Sequence, residues 1–261
     1  MHSTRRLVFA LLATLLVSFA PIPLNKITVY MIGDSTMADK AFKEYPETGW
    51  GMPFHYFFGP DARVDNRAKN GRSTRTFIDE GRWKAVTDAL KPGDYVLIQF
   101  GHNDEVPTKR SYTTPEEFTR NLTRFVQDTR AKKAHPILLT PVTRRSFDSA
   151  GVLIDTHARY AELTRQVALK YHVPLIDADS ESMALVKRFG PERSKYLYDY
   201  VAPGENLNFP EGHEDNTHFS ELGARMIAEI VARDIRTVAP GLAAYLRDED
   251  PAGHSHHQST R

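Results

Sequence analysis

A chain of 261 residues, 41% hydrophobic and 26% charged, has the length and composition of one larger α/β domain or two small ones. Its net charge of +1 supplies no overall basic field, which argues against nucleic acid or an anionic membrane surface as a partner. With no cysteine, disulfides, thiolate metal sites and a cysteine nucleophile are all excluded.

The chain opens like an export signal: basic "MHSTRR" precedes "LVFALLATLLVSFA", an apolar and small-residue core of 14 residues. That core is short for a membrane-spanning helix, which needs about 20 residues. The signal is expected to cover residues 1–20, or to run as far as 24. Ser18 and Ala20 suit the small-residue cleavage rule, although Pro21 follows directly and an uncleaved anchor is the alternative. Either way the remainder is expected to be secreted or periplasmic.

Beyond the signal no repeat is found, and strand-like apolar runs alternate with helical patterns. Strands are predicted at Ile27–Ile32, weakly at Arg63–Asn66, and at Tyr95–Phe100, Pro136–Pro141 and Val173–Asp177. "DYVLIQF" follows a "KPGD" turn and is apolar almost throughout, as suits a strand buried on both faces of a parallel sheet. The clearest helix is "TTPEEFTRNLTRFVQDTRAKK". Thr114 is a good N-cap, Pro115 suits the first helical position and Glu117 completes a capping box. Phe118, Leu122, Phe125 and Val126 then form one apolar stripe. Further helices are predicted at about Asp155–Lys170 and Ser220–Val238. The polar segment Gly241–Arg261 is read as a loose tail. The pattern predicts one α/β domain, residues 26–240, with a parallel sheet whose ligands gather at the carboxyl ends of its strands.

Polar groups at those ends are the candidates for chemistry. The first strand stops at "GDST" with Ser35, the second runs into "NRAKNGRSTR" with Gly71, and the third ends in "FGHNDE" with Asn103. "EGHEDNTHFSELGARM" places Asp215 and His218 just ahead of the last helix. A serine hydroxyl needs a base to become a nucleophile; His218 can be that base, and Asp215 can orient it from a short turn. The Ser35 and Gly71 N–H groups and the Asn103 amide can stabilise an oxyanion. Each residue also has a plainer use. Serine after a strand is most often a helix cap, Gly71 can serve a turn, and His213, Glu214, Asp215 and His218 can be read as metal ligands.

The combination "GDS", "NGRS", "GHND" and "DNTH", in this order, resembles the SGNH superfamily, or GDSL hydrolases. Its four named residues would here be Ser35, Gly71, Asn103 and His218. "TGWGMPFHYFF", "NRAKNGRSTRTFIDEGRW", "DYVLIQFGHNDE" and "TPVTRRSFD" bring the resemblance nearest to rhamnogalacturonan acetylesterases and related carbohydrate esterases. The resemblance implies a flavodoxin-like three-layer α/β/α sandwich with a five-stranded parallel sheet, order 2-1-3-4-5. It implies removal of O-acetyl groups from a pectic polysaccharide through an acetyl-serine intermediate, with no metal and no organic cofactor. The implied partner is an acetylated plant cell-wall polysaccharide or oligosaccharide, with no nucleic acid and no membrane beyond the export signal. Other acyl substrates (acetylated xylan, small esters, lipid) and a non-catalytic carbohydrate-binding relative are the alternatives. Because pectic chains carry carboxylates, Arg72, Arg75, Arg144 and Arg145 are the expected substrate contacts, with His102 beside Asn103. Trp50 or Trp83 could stack on a sugar ring, although Trp83 fits a core position better.

Overall fold

The computed structural model describes residues 24–247; the expected signal, 1–20 or to 24, lies almost wholly outside them, as does most of the expected tail. Five parallel strands form one sheet: β1 (Ile27–Gly33), β2 (Ala62–Asn66), β3 (Tyr95–Gln99), β4 (His135–Leu139) and β5 (Leu175–Ile176). Their order is β2-β1-β3-β4-β5. Side chains of a strand alternate between its faces, and here the alternation feeds two separate cores. Val29, Met31, Leu97, Ile137 and Leu139 point into one core; Tyr30, Ile32, Val96, Ile98 and Leu138 point into the other.

Helices cover both faces. The first core is closed by Phe54 of α1 (Gly51–Phe54), Leu185 of α6 (Ala178–Arg193), Ile227 and Val231 of α7 (Glu221–Val238) and Leu242 of α8 (Pro240–Ala243). The second is closed by α2 (Thr74–Asp79), α3 (Arg82–Ala89), α4 (Pro115–Ala131) and α5 (Ala158–Tyr171), through Phe77, Trp83, Phe118, Leu122, Phe125 and Tyr160. The α4 stripe is buried as its spacing requires, and Thr114 with Glu117 forms the capping box. Among the described residues no helix is long and apolar enough to cross a membrane.

Several boundaries differ from the sequence reading. β5 is two residues rather than Val173–Asp177, because Pro174 has no N–H to donate and Asp177 instead caps α6. α5 begins at Ala158, three residues past Asp155, whose carboxylate takes the His157 N–H in a turn before the helix. α6 has no counterpart among the predicted helices; Gly190, in the left-handed region, and Pro191 interrupt its periodicity. An antiparallel hairpin of β6 (Tyr198–Val201) and β7 (His213–Phe219) was also unforeseen. The tail does not start at Gly241: Leu242 and Leu246 are buried, and Phe58 bridges to Leu246. Both tryptophans are core residues. Trp50 is fully buried with its Nε1–H on Gln99 Oε1 at 2.7 Å, and Trp83 donates to Asp128 at 2.8 Å, so neither is available to stack on a sugar.

Candidate active site

β1 ends at Gly33, and the chain turns at once. Asp34 makes that turn: its carbonyl accepts the N–H groups of Met37 and Ala38, and its Oδ1 accepts the Thr36 N–H and hydroxyl at 3.0 and 2.8 Å. The capping work expected of a serine after a strand is therefore done by Asp34, and the Ser35 hydroxyl is left for another partner. The turn is clamped from outside. Trp50 N–H reaches Thr36 O at 2.9 Å, and Gln99 Nε2 reaches the Thr36 hydroxyl, also at 2.9 Å. This close approach requires Gly49, where a Cβ would stand 2.0 Å from the Ala38 carbonyl oxygen.

That partner is His218. Ser35 Oγ lies 2.7 Å from His218 Nε2, and His218 Nδ1 lies 2.8 Å from Asp215 Oδ2. The carboxylate holds the proton on Nδ1 and leaves Nε2 to accept the hydroxyl hydrogen. Asp215 Oδ1 also takes the N–H groups of Thr217 and His218. Burial opposes ionisation of Asp215, but the His218 hydrogen bond and charge, with those two N–H groups, outweigh it and hold its carboxyl at about 2. The expected short turn is in fact a bulge within β7. Tyr200 pairs with Glu214 and Tyr198 with Phe219, so residues 215–218 loop out from the ladder.

The parallel sheet brings the neighbouring strand ends alongside. Met31 is in register with Asn66, and Gly33 with Gln99, so the loops after β2 and β3 flank the Ser35 turn. Gly71 has φ +76°, and a Cβ there would meet nothing within 4 Å. Its glycine is thus required by the left-handed backbone rather than by lack of space in the chain itself. Among the described residues neither the Ser35 nor the Gly71 N–H has an acceptor. Asn103 donates one amide hydrogen to Arg72 O at 3.2 Å, leaving a second. Ser35, Gly71, Asn103 and His218 line one cleft of about 270 Å³. Larger hollows of 610–650 Å³, one of them adjoining this cleft, hold no nucleophile–base pair, so size does not select the site.

The other expected contacts divide. His102 lines the cleft but is buried, and no side chain among the described residues pairs with either ring nitrogen. Burial first, then the charges of His157 and Arg144, push its pKa well below the ordinary histidine value, so it stands neutral. Arg144 lines the cleft, held by Glu105 at 2.6 Å and by His102 O at 3.2 Å. Arg72 and Arg75 border an adjoining hollow that shares Gly71, Asn103 and Lys109 with the cleft. Arg72 pairs with Glu80, and Arg75 braces the carbonyls of Arg110 and Tyr112. Arg145 is a correction. Its guanidinium turns away to Ser194, Tyr200, Asn216 and Pro191 O, where it fastens the β6–β7 hairpin. The metal reading of residues 213–218 has no geometric support. Both His218 ring nitrogens are engaged by Asp215 and Ser35, and no group of three or more His, Asp or Glu among the described residues could hold an ion.

Sequence reasoning missed Glu47, Asn70, Lys109 and Thr217, which also line the cleft. Glu47 Oε1 stands 3.8 Å from His218 Nε2. A signal existed for some of them: Asn70 and Thr217 adjoin residues already singled out.

A family model described as the GDSL-like Lipase/Acylhydrolase family matches residues 31–226. The chain is 40% identical over 229 residues to rhamnogalacturonan acetylesterase RhgT of Bacillus subtilis (strain 168), covering 87% of this chain and 97% of that protein. The crystal structure of the protein YxiM from Bacillus subtilis is similar at a TM-score of 0.69 and 28% identity. That match covers 82% of this chain and 57% of that one. Axe2, an acetylxylan esterase from Geobacillus stearothermophilus, shares the fold at a TM-score of 0.60 and 20% identity, over 81% of this chain and 94% of its own.

Proposed function

Because the chain belongs to the GDSL-like lipase/acylhydrolase family and is a carboxylic ester hydrolase, we propose that it is a secreted serine esterase. It removes O-acetyl groups from a pectic polysaccharide such as rhamnogalacturonan. The observation that carries the mechanism is the 2.7 Å contact of Ser35 Oγ with His218 Nε2, backed by Asp215 at 2.8 Å. His218 takes the Ser35 proton as Oγ attacks the acetyl carbonyl carbon. The resulting oxyanion receives the N–H groups of Ser35 and Gly71 and the free amide hydrogen of Asn103. The imidazolium, stabilised by Asp215, gives its proton to the departing sugar oxygen, leaving acetyl-serine. Water then attacks that ester, loses a proton to His218, and acetate leaves as the proton returns to Ser35.

Two features support an acetyl group on an acidic sugar chain. Among the described residues the cleft is lined only by polar side chains and Gly71, with no apolar wall for a long acyl chain. Cations outnumber anions at its margin, with Lys109 and Arg144 against Glu47 in the cleft and Arg72, Arg75, Lys109 and Arg110 against Asp79 and Glu80 around the adjoining hollow. Cations there suit a uronate carboxylate. The relative RhgT, named for rhamnogalacturonan, points the same way. Export rests on the basic and apolar stretch over residues 1–20.

The test is acetate release from acetylated rhamnogalacturonan, acetylated xylan and short- and long-chain 4-nitrophenyl esters at equal ester concentration. The expected result is fastest release from the pectic polymer, acetate preferred among the small esters, and loss of all turnover in Ser35→Ala. Preference for long chains or for xylan overturns the substrate reading. Turnover that survives Ser35→Ala removes Ser35 from the chemistry.

A further inference from the structure

Lys40 lies five residues beyond the nucleophile, and its side chain is only 2% exposed. An ammonium group has three hydrogens, and two of them are given to acceptors of the site. They go to the Ser35 carbonyl at 2.6 Å and to Asn70 Oδ1 at 2.9 Å, and Glu47 Oε1 pairs with the charge at 2.5 Å. Each partner belongs to a different part of the site. The Ser35 carbonyl lies in the turn that carries the hydroxyl. Asn70 immediately precedes Gly71, so its backbone shares a peptide with the Gly71 N–H, and its amide is fixed on the far side by Glu44 Oε1 at 2.8 Å. Glu47 faces His218 Nε2 across 3.8 Å.

Burying an ammonium is costly, and a neutral side chain of this length would pack at lower cost. An exposed surface lysine would also serve solubility equally well. The fold instead places the charge where it ties three segments together behind the reacting groups.

We infer that Lys40 is a positioning residue that sets the two backbone N–H donors, Ser35 and Gly71, at the separation an oxyanion requires. It works through the Ser35 carbonyl and Asn70, while Glu47 neutralises the buried charge. The inference rests on the serine-esterase reading above. Its consequence is selective: the tetrahedral state should lose stabilisation, whereas ground-state substrate binding should not.

The experiment compares Lys40→Met, the double variant Lys40→Met/Glu47→Gln, Asn70→Ala and Ser35→Ala. The double variant leaves no stranded carboxylate beside His218. Readouts are kcat and KM on 4-nitrophenyl acetate, the affinity for methylboronic acid as a tetrahedral adduct on Ser35, and folding by circular dichroism and thermal unfolding. The double variant is expected to lose about 10²-fold in kcat, of the order of one lost oxyanion donor, with KM within about threefold. Boronate affinity should fall in parallel. Asn70→Ala, which keeps the ion pair and cuts the strap to Gly71 together with its Glu44 anchor, should lose about tenfold in kcat. A folded double variant with unchanged kcat and boronate affinity overturns the inference. If the double variant does not fold, Asn70→Ala decides, and an unchanged kcat there overturns it. Ser35→Ala separates the two readings. Turnover that persists in it removes the serine mechanism itself, whereas a dead Ser35→Ala beside unaffected Lys40 and Asn70 variants removes only the positioning role.

Discussion

At the scale of single residues, the candidate site works by leaving particular groups unspent. Asp34 takes over the turn, which frees the Ser35 hydroxyl for His218. Gly71 adopts φ +76°, and its N–H has no acceptor among the described residues. Asn103 spends one amide hydrogen on Arg72 O and keeps another. Replacing Asn103 by Ala should therefore reduce kcat by about 10²–10³-fold, the usual size for one oxyanion donor, with a smaller change in KM. Steady-state rates on a small acetyl ester check this, and an unchanged kcat would show that Asn103 faces elsewhere. Ser35 and Asn103 stood out as candidates in the sequence because each follows an apolar strand-like run, whereas Gly71, Asp215 and His218 lie in polar stretches and were marked only by their short motifs and the family resemblance. Arg145 was not legible as a structural residue. Its partners Ser194, Tyr200 and Asn216 are 49, 55 and 71 positions away, and only the folded chain assembles them.

At the scale of elements, legibility follows burial. β1, β3 and β4 are buried on both faces, so their apolar runs announce them. β7 is "HEDNTHF", polar and half-exposed along most of its length, and no hydrophobic period marks it as a strand. Its bulge nevertheless delivers both Asp215 and His218, because residues released from the ladder can fold back on one another. α4 is the opposite case. Its cap, first-turn proline and stripe are all local, so the sequence specifies it almost completely. Thr114 Oγ1 accepts the Glu117 N–H at 3.2 Å, and Glu117 returns a bond to Thr114 N–H at 3.2 Å. Thr114→Ala should lower stability by about 1 kcal/mol with kcat unchanged, since the cap lies outside the cleft. Urea unfolding and rate measurements on the same sample test both halves of that statement.

At the scale of the whole molecule, two cores clamp the sheet and bury charged groups near its carboxyl edge. Asp104 is fully buried, with Oδ1 accepting Thr74 N–H and hydroxyl at 2.9 and 2.6 Å. Burial drives its carboxyl up to about 7, against about 3.9 in an unfolded chain. The folded state thus holds the proton that the unfolded state gives up between those values. This contribution is complete below pH 4 and is lost as pH rises to 7, by about 1.4 kcal/mol per unit for one proton. Asp215 has the reverse sign. Its folded value of about 2 contributes stability above pH 4 that is lost only as pH falls toward 2. Asp104→Asn keeps the acceptor oxygen and removes the titration, so its stability should decline less than that of the wild type between pH 5 and pH 8. Denaturant midpoints at the two values measure this, and equal declines would clear Asp104 of the effect. The sequence by itself determined the parallel α/β layering, the main buried strands, the capped helix α4 and the residues able to carry acyl chemistry. These depend on contacts within a few positions and on one-dimensional periodicity. Tertiary structure alone decided that Ser35 meets His218 across 183 positions, that Lys40 spans three loops, that Trp50 faces inward and that Arg145 turns to the β6–β7 hairpin. Such pairings follow from strand order and register, which bring distant segments together and leave no mark on the local pattern of either partner.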